Sequence, residues 1–333
     1  MKHQYYFILL LLAFSCSEPA NPDNVFENDT QTISSPKTTP IQDLNLSLKI
    51  HEDLLSHYSK DELRFLDISL SFLRDGSVWL VNSNGVQEIV EGFNPYLSPN
   101  GKILAYTSIN DEKRVIRLFD IENSKSEVLN VDDNNYYGPV WSPNGEYIAF
   151  NIMNDGMWQI GIINSNNEGY RLFEIKKEQG IGLHSPTWTN DSKFLIAHDM
   201  FTAYKFNPVS GVIEDTIDLN IIATEEFGIS SSSNLLISKD NSTMIFDAGM
   251  YNESMKGVHG PPYAILAFNF KTKKIKRLSP KNMYTSEPWI DKNDQIYFSG
   301  VSETGFSSIY KTDIEGSYLT KVIDNGYSAT GTR

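Results

Sequence analysis

One short motif recurs along this chain of 333 residues, and its recurrence restricts the folds open to it. The segment Asn94-Pro95-Tyr96-Leu97-Ser98-Pro99-Asn100-Gly101-Lys102-Ile103-Leu104-Ala105-Tyr106 returns as Gly138-Pro139-Val140-Trp141-Ser142-Pro143-Asn144-Gly145-Glu146-Tyr147-Ile148-Ala149-Phe150. A third copy starts at Ser185-Pro186-Thr187-Trp188 and ends at Ala197, with weaker ones at Leu235 to Phe246 and at Glu287 to Phe298. The weakest is Ser56 to Leu66, where Ser59-Lys60-Asp61-Glu62 stands in for Ser-Pro-Asn-Gly. Anchors at 56, 95, 139, 186, 235 and 288 are spaced by 39, 44, 47, 49 and 53 residues, so six units account for nearly everything after residue 43.

Each unit reads as two hairpins. In Ser-Pro-Asn-Gly, Pro sets φ for the first turn position, Asn tolerates the second and Gly takes the left-handed conformation. The apolar runs that follow, such as Tyr147-Ile148-Ala149-Phe150, suit strands packed on both faces. About ten residues later a second hairpin recurs, as in Gln159 to Ser165 leading into Tyr170 to Phe173. Four antiparallel strands per unit, arranged radially, predict an all-β fold, a six-bladed β-propeller over residues 44–333. Trp79, Trp141, Trp158, Trp188 and Trp289 fall at repeat-related places and are expected to pack between blades. Leu44, Leu46, Leu48 and Ile50 alternate with polar residues and predict a strand that helps close the ring against the last blade.

The Pro-x-Trp-Ser-Pro-Asn-Gly-x-x-Ile-Ala-Phe pattern and the Ile-Tyr-x-x-Asp-like strand after it resemble the TolB-type propeller repeat, shared with the propellers of prolyl oligopeptidases, over roughly residues 56 to 323. In that family the turn usually carries Asp where this chain has Asn100 and Asn144. TolB itself has an α/β domain ahead of its propeller, whereas only a tether and one strand precede the repeats here. The oligopeptidases carry a hydrolase domain with a GxSxG elbow, and no GxSxG occurs in this chain. The resemblance implies a fold more than an activity.

The N-terminus reads as an address. A basic start, an apolar run from Tyr5 to Phe14 and small residues after it predict a signal peptide over 1–15. Ten helical residues rise only about 15 Å, too short for a membrane span. Leu12-Ala13-Phe14-Ser15-Cys16 resembles the lipobox of bacterial lipoproteins, which implies a lipid on Cys16, the sole cysteine. Residues 16–43, with Pro19, Pro22, Pro36 and Pro40 among Asn, Asp, Ser and Thr, predict a disordered tether. The expected location is therefore the bacterial cell envelope, on a membrane.

Composition removes several functions. A formal charge of -14 opposes the phosphate attraction on which nucleic-acid binding relies. A single cysteine excludes internal disulfides and multi-cysteine metal sites. No phosphate loop, dinucleotide turn, HExxH or EF-hand motif occurs, so no cofactor, no resident metal and no catalytic residue is assigned.

In a four-stranded blade the blade-to-blade loops and the loops between second and third strands share one face. His184, His198 and His259 map there, as do Tyr136, Tyr137, Glu225, Glu226 and Glu287. The loop from Asp247 to Tyr263 is the longest of its kind. The candidate ligand-binding face is thus Tyr137, His184, His198, Glu225, His259 and Glu287, for an envelope protein, a peptide or a glycan. The alternative is a metal-dependent lyase or hydrolase on oligosaccharides, with the three histidines around a metal, similar to propeller-fold oligogalacturonate lyases.

Overall fold

The computed structural model describes residues 69–132, 135–175, 182–302 and 305–332, all within one compact unit, Thr38–Arg333. Cys16, the tether, the alternating segment 44–50 and the weakest repeat copy at 56–66 lie outside the described residues.

The first blade contains β1 (Leu70–Arg74), β2 (Ser77–Asn82) and β3 (Gly85–Glu91). The second comprises β4 (Phe93–Leu97), β5 (Ile103–Asn110), β6 (Lys113–Asp120) and β7 (Lys125–Val128). The third comprises β8 (Tyr136–Trp141), β9 (Tyr147–Asn154), β10 (Met157–Asn164) and β11 (Arg171–Phe173). The fourth has β12 (His184–Trp188), β13 (Leu195–His198), β14 (Thr202–Phe206) and β15 (Ile213–Asp218). In the fifth, β16 (Phe227–Gly228) and β17 (Leu235–Ile237) both pair with β18 (Thr243–Met250), followed by β19 (Tyr263–Asn269) and β20 (Ile275–Arg277). The sixth has β21 (Met283–Ile290), β22 (Gln295–Ser302), β23 (Ser308–Asp313) and β24 (Thr320–Ile323). Every pairing is antiparallel, and the fold is the expected six-bladed β-propeller.

Ring closure is made by the last strand. β25 (Tyr327–Gly331) takes the innermost place of the first blade, in the order β25-β1-β2-β3, with Leu70 opposite Gly331 and Ser71 opposite Thr330. The inner edge of β1 is therefore filled from the C-terminal side, after the point at which the sequence repeats stop. Ser71 Oγ and Thr330 Oγ1 lie 2.9 Å apart across this pair, and Arg74 donates to the carbonyls of Asp324 and Asn325 at 2.8 Å.

Burial explains why the blades must form a circle. Six buried apolar clusters are present, one at each junction between neighbouring blades. Phe72 and Val81 of the first blade meet Trp289 and Ile309 of the sixth, while Leu73 and Val78 meet Leu104 and Tyr106 of the second. A blade taken out of the ring would expose two apolar faces, at about 25 cal/mol for every Å² returned to water. Trp141, Trp188 and Trp289 are buried in these junctions; Trp188 also donates its indole N–H to Val140 O of the preceding blade at 3.1 Å.

The repeated turn is closed by its own side chains. Ser98 Oγ accepts from Ile103 N–H (2.9 Å) and donates to Asn100 Oδ1 (2.8 Å), which accepts from Lys102 N–H (3.0 Å), while Gly101 sits at φ +72°. Ser142 with Asn144, Thr189 with Asp191 and Ser238 with Asp240 repeat the arrangement. The turn needs one carbonyl-type oxygen at its third position, which Asn and Asp supply equally, so the departure from the usual Asp is structurally silent.

Candidate binding face

The innermost strands share an irregularity that shapes the axis. Asn94, Gly138, Ser185, Glu287 and Ser328 all have positive φ, between 47° and 66°, at equivalent points of β4, β8, β12, β21 and β25. Register shifts mark bulges in the pairs that contain them. Four are followed by proline: Pro95, Pro139, Pro186 and Pro288. Proline has no N–H to give a ladder, and within sheets it is confined to edges, strand starts and bulges, so the repeat's anchor proline marks the bulge.

Four of these bulges are tied to the preceding blade by a side chain from that blade's second strand. Thr107 Oγ1 accepts from Gly138 N–H (3.1 Å), Asn151 Oδ1 from Ser185 N–H (3.1 Å), Asp247 Oδ2 from Glu287 N–H (3.2 Å) and Ser299 Oγ from Ser328 N–H (2.8 Å). At the fourth-to-fifth junction the bond runs the other way, from the His198 ring to Ser233 O at 2.9 Å. Between the first and second blades Thr330 Oγ1 accepts from Leu97 N–H (3.2 Å) and donates to Pro95 O (3.1 Å). A polar belt thus crosses all six junctions.

Two of the expected face residues belong to this belt. His198 is fully buried; its Nδ1 accepts from Met200 N–H (3.1 Å), so the neutral ring carries its proton on Nε2 and donates it to Ser233 O. Burial holds its pKa down at about 4. Glu287 accepts from Ser299 Oγ (2.9 Å), and burial pushes its carboxyl upward. Its neighbour Asp247 is buried as well, accepts from Asn234 N–H at 2.5 Å, and is pushed up to about 7 by desolvation.

The other expected residues separate. His184 lies directly opposite His198 in the strand pair, with ring centroids 6.4 Å apart, and desolvation lowers its pKa. Tyr137 packs edge-on to Trp158 (5.2 Å) under the Arg114 guanidinium (4.2 Å), which places Trp158 in a cation–aromatic cluster at the rim of the second and third blades. Glu225 is exposed in the link into the fifth blade, and His259 is exposed in the long loop. Among the described residues no group of three or more His, Cys, Asp or Glu is placed to hold a metal ion. The structure therefore brings His184 and His198 together and leaves His259 outside that pair.

The connector Gly228 to Asn234 has a defined structure. It is the widened bulge of the fifth blade: Ser233 is fully buried and supplies the carbonyl for His198, while Ser230 Oγ and Tyr263 Oη are 2.7 Å apart. The long loop is pinned too. Arg277, buried, donates to Glu253 Oε1 (2.5 Å) and to the carbonyls of Ser279 (2.8 Å) and Pro280 (3.0 Å).

Exposed aromatic rings, rather than histidine, distinguish this face. Phe201, Tyr251 and Phe306 stand in loops between second and third strands, Ile109 near the end of β5 beside such a loop, and Ile221 in a blade-to-blade link; all are exposed, Phe306 at 82%. These loops share one rim. The opposite rim, made of the side-chain-closed turns and the outer hairpins, exposes Val86, Val209, Val212 and Ile213, all aliphatic, so among the described residues the exposed aromatic rings, Phe201, Tyr251 and Phe306, stand on the loop rim.

The class defined by this geometry is a six-bladed propeller with four-stranded blades. No protein-family model and no curated protein matches the sequence. Among solved structures the fold is similar to TolB from Acinetobacter baumannii, at 14% identity and a TM-score of 0.59, over 82% of this chain and 67% of that one. It is similar to a protein assigned as TolB from Agrobacterium tumefaciens, at 15% identity and a TM-score of 0.53, over 78% and 91%. A chain of a nidogen/laminin complex matches at 12% identity and a TM-score of 0.56, over 80% and 98%. The fold is thus a TolB-like β-propeller; identities this low carry the fold alone.

Proposed function

We propose that this protein is an exported propeller, anchored through a lipid on Cys16, whose loop rim binds an envelope protein, a peptide or a glycan, with a protein or peptide favoured. The observation that carries the reading is the gathering of Ile109, Phe201, Ile221, Tyr251 and Phe306 on one rim, exposed on a rigid scaffold. The similarity to TolB and to a chain of a nidogen/laminin complex supports a protein-binding reading at the level of fold. The lyase alternative has no comparable support, since both ring nitrogens of His198 are engaged within the protein.

Two experiments test the reading. Fatty-acid labelling is expected on the wild type and lost in Cys16→Ala; labelling that persists would refute the anchor. Affinity capture from native membranes is expected to recover a partner with the wild type and to lose it with Phe201→Ser, Tyr251→Ser and Phe306→Ser combined. Capture unchanged by those substitutions would remove the loop rim as the binding face.

A further inference from the structure

Charge is sorted unevenly around the ring. From Phe206 to Ser238 the chain has no Lys or Arg, yet carries Glu214, Asp215, Asp218, Glu225 and Glu226, all exposed. Asp218, Glu225 and Glu226 lie in or beside the link between the fourth and fifth blades, where the exposed apolar side chains are also densest. Phe201 is 48% exposed, Ile221 50% and Tyr251 57%.

These groups form one continuous patch. Leu219 N–H donates to Phe201 O at 2.8 Å, joining the second-to-third loop of the fourth blade to the 3-10 turn Leu219–Ile221. Tyr251 N–H donates to Glu226 O at 2.8 Å, joining the blade-to-blade link to the long loop of the fifth blade. Gly228 has no Cβ at the point where one would meet the Tyr251 hydroxyl, so the ring lies against the backbone. Lys256 lies further along the long loop.

We infer that the patch formed by Phe201, Ile221 and Tyr251 with Glu225 and Glu226 docks a cationic segment of a partner protein, one that alternates Lys or Arg with apolar anchors. The inference rests on the proposed function and specifies the chemistry of its partner. Carboxylates beside exposed apolar groups are met by a ligand that offers positive charge and apolar surface together, and aromatic faces add attraction for guanidinium and ammonium groups. An acidic partner would meet like charge, and an uncharged apolar one would leave carboxylates to be desolvated unpaired.

The test uses the full chain in detergent micelles with two synthetic peptides of 16 residues: one alternating Lys and Leu with a central Phe, and its twin with Glu for Lys. The Lys peptide is expected to bind the wild type at least tenfold more tightly than Glu225→Lys/Glu226→Lys, and less tightly as salt rises. Glu122→Lys/Glu168→Lys has the same net charge but changes exposed hairpin residues of the opposite rim, and is expected to bind within twofold of the wild type. Phe201→Ser/Tyr251→Ser is expected to lose about tenfold while melting like the wild type. Equal loss in both charge variants would reduce the effect to net charge and overturn the inference, as would equal binding of the Glu twin or self-association through the patch. If native-membrane capture survives Glu225→Lys/Glu226→Lys, the inference fails and the protein-binding reading stands; if capture is lost only in the Phe201, Tyr251 and Phe306 variant, the same conclusion follows.

Discussion

The two rims of the disc use their polar side chains for different purposes. On the turn rim, Ser98, Ser142, Thr189 and Ser238 close their own hairpins. Towards the loop rim, the polar side chains at the bulges are drawn inward to the belt, while the tips beyond them carry Ile109, Phe201, Tyr251 and Phe306 into solvent. On the loop rim the side chains that hold the ring, His198, Asp247 and Glu287, sit at the bulges, and the exposed apolar side chains stand at the tips beyond them.

His198→Ala should give the largest loss. It removes a buried ring between two blades and leaves Ser233 O and Met200 N–H without their partner, for roughly 3 kcal/mol and a melting temperature several degrees lower. His198 stays neutral in the fold down to about 4, against 6.5 as its ordinary value, so the unfolded chain binds more protons between those pH values. Its contribution therefore falls as pH drops through that window, and His198→Ala should flatten the acid side of the stability profile. An unchanged acid limb in pH-dependent melting would show that the ring is not buried as described.

Asp247 acts with the opposite sign. Its folded pKa of about 7 against 3.8 means that the folded chain keeps a proton the unfolded chain has released, so its contribution falls as pH rises from about 4 to 7. Denaturant titrations at pH 4 and pH 7.5 should show Asp247→Asn gaining on the wild type by a few kcal/mol across that interval. A constant difference between the two proteins would contradict the assignment.

Smaller effects belong to the rims. Gly145→Ala on the turn rim forces an L side chain to φ +73°, and should cost about 1 kcal/mol in urea denaturation without changing partner capture. Phe306→Ser on the loop rim should move stability by less than about 0.5 kcal/mol, because the ring is already in water, while weakening capture. A reversal of these two outcomes would invert the assignment of the rims.

Much of the scaffold was legible because turn chemistry is local. Ser-Pro-Asn-Gly followed by an apolar run specifies a hairpin whatever surrounds it, and five of the six inner strands carry such a turn or a relic of it. β25 was not legible: Tyr327-Ser-Ala-Thr-Gly331 has neither the anchor proline nor a following turn, and its partner strand lies more than 250 residues earlier. The belt was hidden for another reason. Thr107, Asn151, His198, Asp247 and Ser299 each end the apolar run of a second strand, but they differ in type, and only the histidine attracts notice as chemistry. Connectivity alone put the candidate face residues on one side of the disc, and nothing in the local sequence indicates that His198 and Glu287 are drawn into the belt. The exposure of Phe201, Ile221 and Tyr251 follows only from packing.

The most direct test of the account places a photo-crosslinking amino acid at Tyr251 or Phe306 on the loop rim, and at Val209 on the turn rim as a control of comparable exposure, in cells with native membranes. Covalent adducts with a partner protein are expected from Tyr251 and Phe306 and none from Val209. Adducts from Val209 alone, or equally from all three positions, would contradict the account.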